Sequence, residues 1–296
     1  MTDTIHLLGR NSTPIGVLSK PPVTGPFNDV AVVFLNSGLL HRVGPFRLYV
    51  SLARQFVENG IPVLRIDQSG KGDSERRKGL SFIDSVKKDF EDAAAFLEGA
   101  VGAKRFIVLG LCSGADDALY LASEYPQIAG AVLLEAYAFR TPRYYLQHYG
   151  PRLVRLDLWS IWTGRALRFL LSKARSLAGR RGGEQGDIGA IREFVGSDEM
   201  RRRYRSVVKR GGKLLCVFTD GARSYYNYEG QLVECLNLQK ADQLISELYI
   251  PGAKHTYPLV SHRERLMEEV CKWATREFGS SERALELDYP RAVQSR

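Results

Sequence analysis

The pentapeptide Gly110-Leu111-Cys112-Ser113-Gly114 directly follows the apolar run Phe106-Ile107-Val108-Leu109 and opens a stretch of helical periodicity. A strand that becomes a helix within so few residues strains the central backbone, and the residues two before and two after must be small for the two backbones to approach. With Cys112 at the centre, Gly110 and Gly114 fill those places. Moving the frame to centre Ser113 would put Leu111 and Ala115 there, and Leu111 would clash. The pattern therefore predicts a nucleophile elbow with Cys112 at its tip. A cysteine after a core strand is more often a packing residue, so the surrounding sequence has to decide.

Short β-rich runs alternate with helical ones along the chain, the signature of a parallel sheet with crossover helices. Ile5–Leu8 and Ile15–Leu18 read as an opening antiparallel pair, and Val30–Leu35 as a central strand. A helix is predicted over Pro45–Asn59, with Phe46, Val50, Ala53 and Val57 at helical spacing and Gly60 as the stop. Ile61–Ile66 is the next strand, and Ser81 caps a helix whose apolar face carries Phe82, Val86, Phe90 and Ala94. Strands at Phe106–Leu109, Ala131–Leu134, Leu214–Phe218 and Leu244–Ile250 and a closing helix from His262 to Phe278 complete the strand order of an α/β-hydrolase core.

Residues 137–210 break this rhythm. Aromatic and basic residues interleave there, with a helix-like stretch Trp159–Leu177 and a glycine-rich break at Gly179–Gly186. Arg140 to Lys213 carries 18 Lys plus Arg against 6 Asp plus Glu, a balance of +12, whereas the whole chain is +9 and the remainder therefore −3. Basic charge confined to one segment argues against nucleic acid spread over the surface. The expected organisation is an α/β core of 1–136 and 211–279, an inserted basic lid of 137–210 and a polar tail of 280–296. No apolar run approaches the roughly 20 residues that cross a bilayer, which leaves peripheral contact as the one membrane role open. Cys112, Cys216, Cys235 and Cys271 show no paired spacing, so neither a disulfide framework nor a zinc site is expected. We expect reduced thiols, a cytoplasmic setting, no cofactor and no metal.

A nucleophile needs a base, and the base an orienting acid; in this core they follow in chain order nucleophile, acid, histidine. His255 follows the last strand in Pro251-Gly252-Ala253-Lys254-His255, and Asp220 closes the preceding one in Phe218-Thr219-Asp220-Gly221. Such carboxyl ends of parallel strands are where the loops gather an active site. His6, His148 and His262 fit the base position less well. Glu135, which ends the strand Ala131–Leu134, is the alternative acid. The expected oxyanion donors are the backbone N–H groups of Ser113, at the start of the elbow helix, and of Leu39, in the turn Asn36-Ser37-Gly38-Leu39. His41 and Arg42 follow at once and are expected either at the pocket or as a solvated loop end.

Three stretches carry a likeness: Asn36-Ser37-Gly38 with His41-Arg42-Val43-Gly44-Pro45 and Arg47-Leu48-Tyr49; Val63-Leu64-Arg65-Ile66-Asp67 with Gly70-Lys71-Gly72-Asp73-Ser74; and Gly110 through Ala115. Together they resemble the α/β hydrolases associated with bacterial exosortase systems and, more loosely, the serine aminopeptidase-like hydrolases. The resemblance covers roughly residues 30–136, and Asp220 and His255 fall where that family's acid and base belong. Cysteine replaces the usual serine, as in dienelactone hydrolases and some acyl-handling thioesterases.

A thiolate beside His255, at a helix start, forms readily near neutral pH. The resulting acyl-enzyme is a thioester, and exchange from an incoming thioester is nearly isoenergetic. The expectation is therefore an acyl-transfer enzyme, thioesterase or acyltransferase, using coenzyme A or an acyl or peptidyl carrier protein as donor. The lid arginines, including Arg152, Arg155, Arg165, Arg168 and Arg201, Arg202 and Arg203, would receive its phosphates or acidic face. The alternatives are an ester, lactone or dienelactone hydrolase with the same triad, and a non-catalytic binding protein.

Overall fold

The computed structural model describes residues 2–9, 14–22, 29–153, 195–238 and 243–279. The predicted Trp159–Leu177 helix, the glycine-rich break, Arg155, Arg165, Arg168 and the 280–296 tail lie outside them. Eight strands form one sheet: β1 (Thr2–Leu7), β2 (Ile15–Lys20), β3 (Val30–Phe34), β4 (Val63–Asp67), β5 (Arg105–Leu111), β6 (Ile128–Leu134), β7 (Lys213–Thr219) and β8 (Ile245–Ile250). Their spatial order is β1-β2-β4-β3-β5-β6-β7-β8. The two strands at the β1 end run antiparallel to their neighbours and the rest are parallel.

Both faces of the central strands are buried, which is why these strands read as continuous apolar runs. In β3, Ala31 and Val33 point into one core cluster, and Val30, Val32 and Phe34 into the other. The first face is covered by α2 (Phe82–Val101), α3 (Ser113–Glu124) and α5 (Ser197–Lys209). The second is covered by α1 (Leu48–Glu58) and α7 (Val260–Phe278). Between β6 and α5 lies α4 (Pro142–Leu153), and between β7 and β8 the short α6 (Gln231–Cys235). Ser81 caps α2 as its sequence requires, accepting from the Asp84 N–H. No helix among the described residues is long and apolar enough to cross a membrane.

Two expectations change. The helix predicted from Pro45 starts as α1 only at Leu48, because Phe46 and Arg47 take positive φ of 49° and 61° and break the helical path. Residues 197–209, expected in the lid, belong to the core layer instead. Met200, Tyr204 and Val207 of α5 are buried in the cluster shared with α3, because one apolar stripe of this otherwise charged helix faces the sheet.

Candidate active site

Cys112 sits between β5 and α3 with φ 59° and ψ −118°, a conformation that costs about 1–3 kcal/mol at a non-glycine residue. The surroundings impose it. A Cβ on Gly110 would run into the Gly114 carbonyl, and one on Gly114 into the Asn36 carbonyl. The Cys112 N–H is bonded to the Leu134 carbonyl at 2.9 Å, and the Leu111 N–H donates to the buried Tyr49 hydroxyl at 3.0 Å. Strand end and helix start are thus fixed on both sides of the thiol.

The loop after β3 is tied to the elbow. The Gly38 N–H donates to Ser113 Oγ at 2.9 Å, so the Ser113 side chain anchors the turn. Buried Asn36 holds the same loop, donating to the Leu40 carbonyl and to Asp67 at 2.8 Å each and accepting from the Gln68 N–H at 2.6 Å. Neither the Leu39 N–H nor the Ser113 N–H takes a backbone partner among the described residues, as holds too for Ser37, His41 and Gly114.

His41 and Arg42, for which the sequence left a pocket position and a solvated loop end both open, brace the loop. Asp67 is fully buried, and a buried carboxylate is costly unless paired. The Arg42 guanidinium meets Asp67 at 2.5 Å and Asp73 at 2.8 Å, and its backbone N–H adds a bond to Asp67 at 2.6 Å. His41 Nε2 lies 2.8 Å from Asp73. The guanidinium supplies this cluster with its positive charge, so the pair braces the β3 and β4 loops together.

His255 is the residue expected as the base. Its ring is half-buried, and its pKa is raised to about 9, first by a hydrogen bond with the Cys112 side chain and then by Glu135, against the opposing effect of burial. Nδ1 lies 3.4 Å from Oε2 of Glu135, a fully buried carboxylate directly past β6. Asp220, the acid expected from sequence, faces elsewhere. Its carboxylate accepts from the Tyr249 hydroxyl at 2.5 Å and pairs with Arg223 at 2.8 Å. Burial alone would raise Asp220, but Tyr249, the Gly252 N–H and Arg223 outweigh it and hold it below the usual carboxylate range. Loop geometry is the physical reason: Asp220 opens a 3-10 turn to Ala222, whereas Glu135 takes φ 55° at the end of β6 beside the histidine. The order Cys112, Glu135, His255 keeps the sequence order nucleophile, acid, histidine.

Arg201, Arg202 and Arg203 are brought to their own helix and not to the thiol. Arg201 reaches Asp198 and the Leu236 carbonyl, while Arg202 and Arg203 share Glu199. Arg203 also lies over the Tyr120 ring at 5.0 Å. Their i,i+3 and i,i+4 spacing to these carboxylates already carried that signal. The other three cysteines are ordinary by comparison. Burial raises Cys216 strongly and pushes Cys235 and Cys271 up to about 12.

A mostly parallel eight-stranded sheet, an elbow after the strand at its centre and a histidine past its last strand define an α/β-hydrolase fold. The chain belongs to the serine aminopeptidase S33 family, whose model matches residues 28–181, just over half its length. Solved structures with the same fold include a proline iminopeptidase of Mycobacterium smegmatis, 15% identical, with TM-score 0.55 over 93% of this chain and 98% of that one. A dienelactone hydrolase of Anabaena variabilis is 13% identical, with TM-score 0.55 over 93% and 97%. An esterase of Pyrococcus furiosus is 14% identical, with TM-score 0.53 over 94% and 91%. No curated protein sequence matches the chain significantly.

Proposed function

We propose that this α/β hydrolase works through a Cys112-His255-Glu135 triad and an acyl-Cys112 thioester. The observation that carries the reading is the pairing of His255 Nδ1 with the fully buried Glu135 carboxylate at 3.4 Å, and the Cys112 side chain is the first cause of the raised His255 pKa. An imidazolium beside the sulfur favours the thiolate. The sulfur attacks the acyl carbonyl, and the oxyanion takes the N–H groups of Leu39 and Ser113. His255 then gives its proton to the departing thiol or alcohol as the carbonyl re-forms. Water or an acceptor attacks the thioester next, His255 takes the attacking group's proton, and Cys112 leaves as thiolate. Glu135 holds the ring and offsets its charge throughout.

The donor class that suits this intermediate is a thioester carried by coenzyme A or a carrier protein, since sulfur-to-sulfur exchange is nearly balanced in energy. An ester or lactone hydrolase with the same residues is the second reading, supported by the fold shared with a dienelactone hydrolase. Intact mass after incubation with acyl-coenzyme A, acyl-carrier protein, p-nitrophenyl esters and dienelactone separates the two. The first reading expects an acyl increment on Cys112 from the thioesters, lost in Cys112→Ala. Turnover of esters or lactones alone, with no increment from thioesters, favours the second. No adduct or turnover with any donor, together with uniform thiol labelling, overturns both.

A further inference from the structure

Among the described residues, six non-glycine residues take a clearly positive φ, and Cys112, Glu135 and Tyr257 are three of them, at 59°, 55° and 54°. The elbow explains the first and the orientation of the acid the second. Tyr257 has no role in the triad as described, yet it lies two residues past the base, is fully buried and is held by its own N–H on the Lys254 carbonyl at 2.8 Å. Arg263 fixes it from the other side, donating to the Tyr257 carbonyl at 2.8 Å.

The polar atoms match. Glu135 Oε2 faces His255, while Glu135 Oε1 is buried and has no hydrogen-bond partner among the described residues. The Tyr257 hydroxyl is likewise buried and without one. The two groups share one site: Tyr257 lies two residues from His255, whose Nδ1 is 3.4 Å from Glu135, and the Glu135 charge acts on the buried tyrosine. A buried donor and a buried acceptor left apart cost about 1–3 kcal/mol each, and strain at a tyrosine backbone is retained where the surroundings over-determine it.

We propose that the Tyr257 hydroxyl donates to Glu135 Oε1, directly or through one water, and so fixes the carboxylate with Oε2 toward His255 Nδ1. Tyr257 is then a positioning residue acting through Glu135, a role that rests on the triad assigned above. The titratable groups around the pair are His255, Cys112 beyond it, and Tyr225, which also acts on Tyr257. A donor on the carboxylate stabilises its ionised form and fixes its orientation, so removing it weakens the support that His255 receives.

The test is Tyr257→Phe, which keeps the ring and the packing, alone and combined with Glu135→Gln, with melting temperature as the folding control. The expected result is a fall in kcat of about tenfold with KM changed less than about twofold. The acid limb of Cys112 alkylation by iodoacetamide should move up by about half a pH unit or more. Neither effect should appear on the Glu135→Gln background. An unchanged kcat and acid limb, or effects that persist undiminished on that background, would overturn the positioning role and leave Tyr257 a packing residue. Failure of the triad itself reads differently: Glu135→Gln alone would leave turnover and alkylation intact, whatever Tyr257→Phe does.

Discussion

Glu135 Oε2 lies 3.4 Å from His255 Nδ1, across the end of β7 that separates their strands, while Asp220 at that very strand end turns to Tyr249 and Arg223. In the proposed triad the acid thus comes from the strand beside the nucleophile's own. Glu135→Gln is expected to lower kcat/KM by about 10³–10⁴, the range for loss of a triad acid, and Asp220→Asn by less than about tenfold. Steady-state kinetics on one turned-over ester or thioester checks this, and a crippling Asp220→Asn beside a mild Glu135→Gln would reverse the assignment.

Cys112 should be the thiol that reacts first. Iodoacetamide followed by peptide mass mapping should label it ahead of Cys216, Cys235 and Cys271, whose thiols burial holds protonated near neutral pH. The Cys112 rate should fall as pH drops and the sulfur regains its proton. Equal labelling of all four under native conditions would contradict a primed elbow.

The Cys112-His255-Glu135 contacts also couple folding to pH. His255 is raised to about 9 from an ordinary 6.5, so its contribution to stability is complete below about 6.5 and is lost as pH rises through about 9. Urea midpoints at about pH 6, 7.5 and 9.5 should therefore decline in the wild type. The decline should be shallower in Cys112→Ala, which removes the larger cause, and in Glu135→Gln. Parallel curves for all three proteins would mean that the histidine is not held this way.

Gly221 offers a way to disturb the base without touching it. A Cβ there would stand 2.5 Å from the His255 backbone nitrogen and 2.8 Å from its Cα. Gly221→Ala is expected to displace His255 and cut kcat on the order of 100-fold, since sub-ångström positioning sets such rates. Circular dichroism melting should show the fold retained; full activity would show that the loop yields freely.

The arginines of α5 should prove structural. Replacing Arg201, Arg202 and Arg203 with alanine is expected to change KM for a coenzyme A thioester by less than about twofold and to cost about 0.3–0.5 kcal/mol per lost helix ion pair. A large rise in KM that high salt reproduces in the wild type would restore them to substrate binding.

What the sequence determined was local. Gly110 and Gly114 flank Cys112 closely enough that backbone contact alone selects the elbow frame, and the alternation of buried runs with amphipathic helices dictates a parallel sheet with crossovers. The loop carrying Leu39 and the place of His255 follow from strand ends, which chain order already provides. The tertiary structure decided what depends on neighbours far apart in the chain. Asp220 and Glu135 both finish parallel strands at the same edge, so order along the chain does not choose between them; the 3-10 turn at Asp220, its Tyr249 and Arg223 partners and the positive φ of Glu135 do. The one trace in the sequence is a carboxylate directly after the apolar run Leu133-Leu134, a charge that burial tolerates only with a partner. His41 and Arg42 stayed undecided between pocket and loop end for the converse reason: the buried Asp67 that claims Arg42 lies on another strand, and only the packed sheet sets the two side by side.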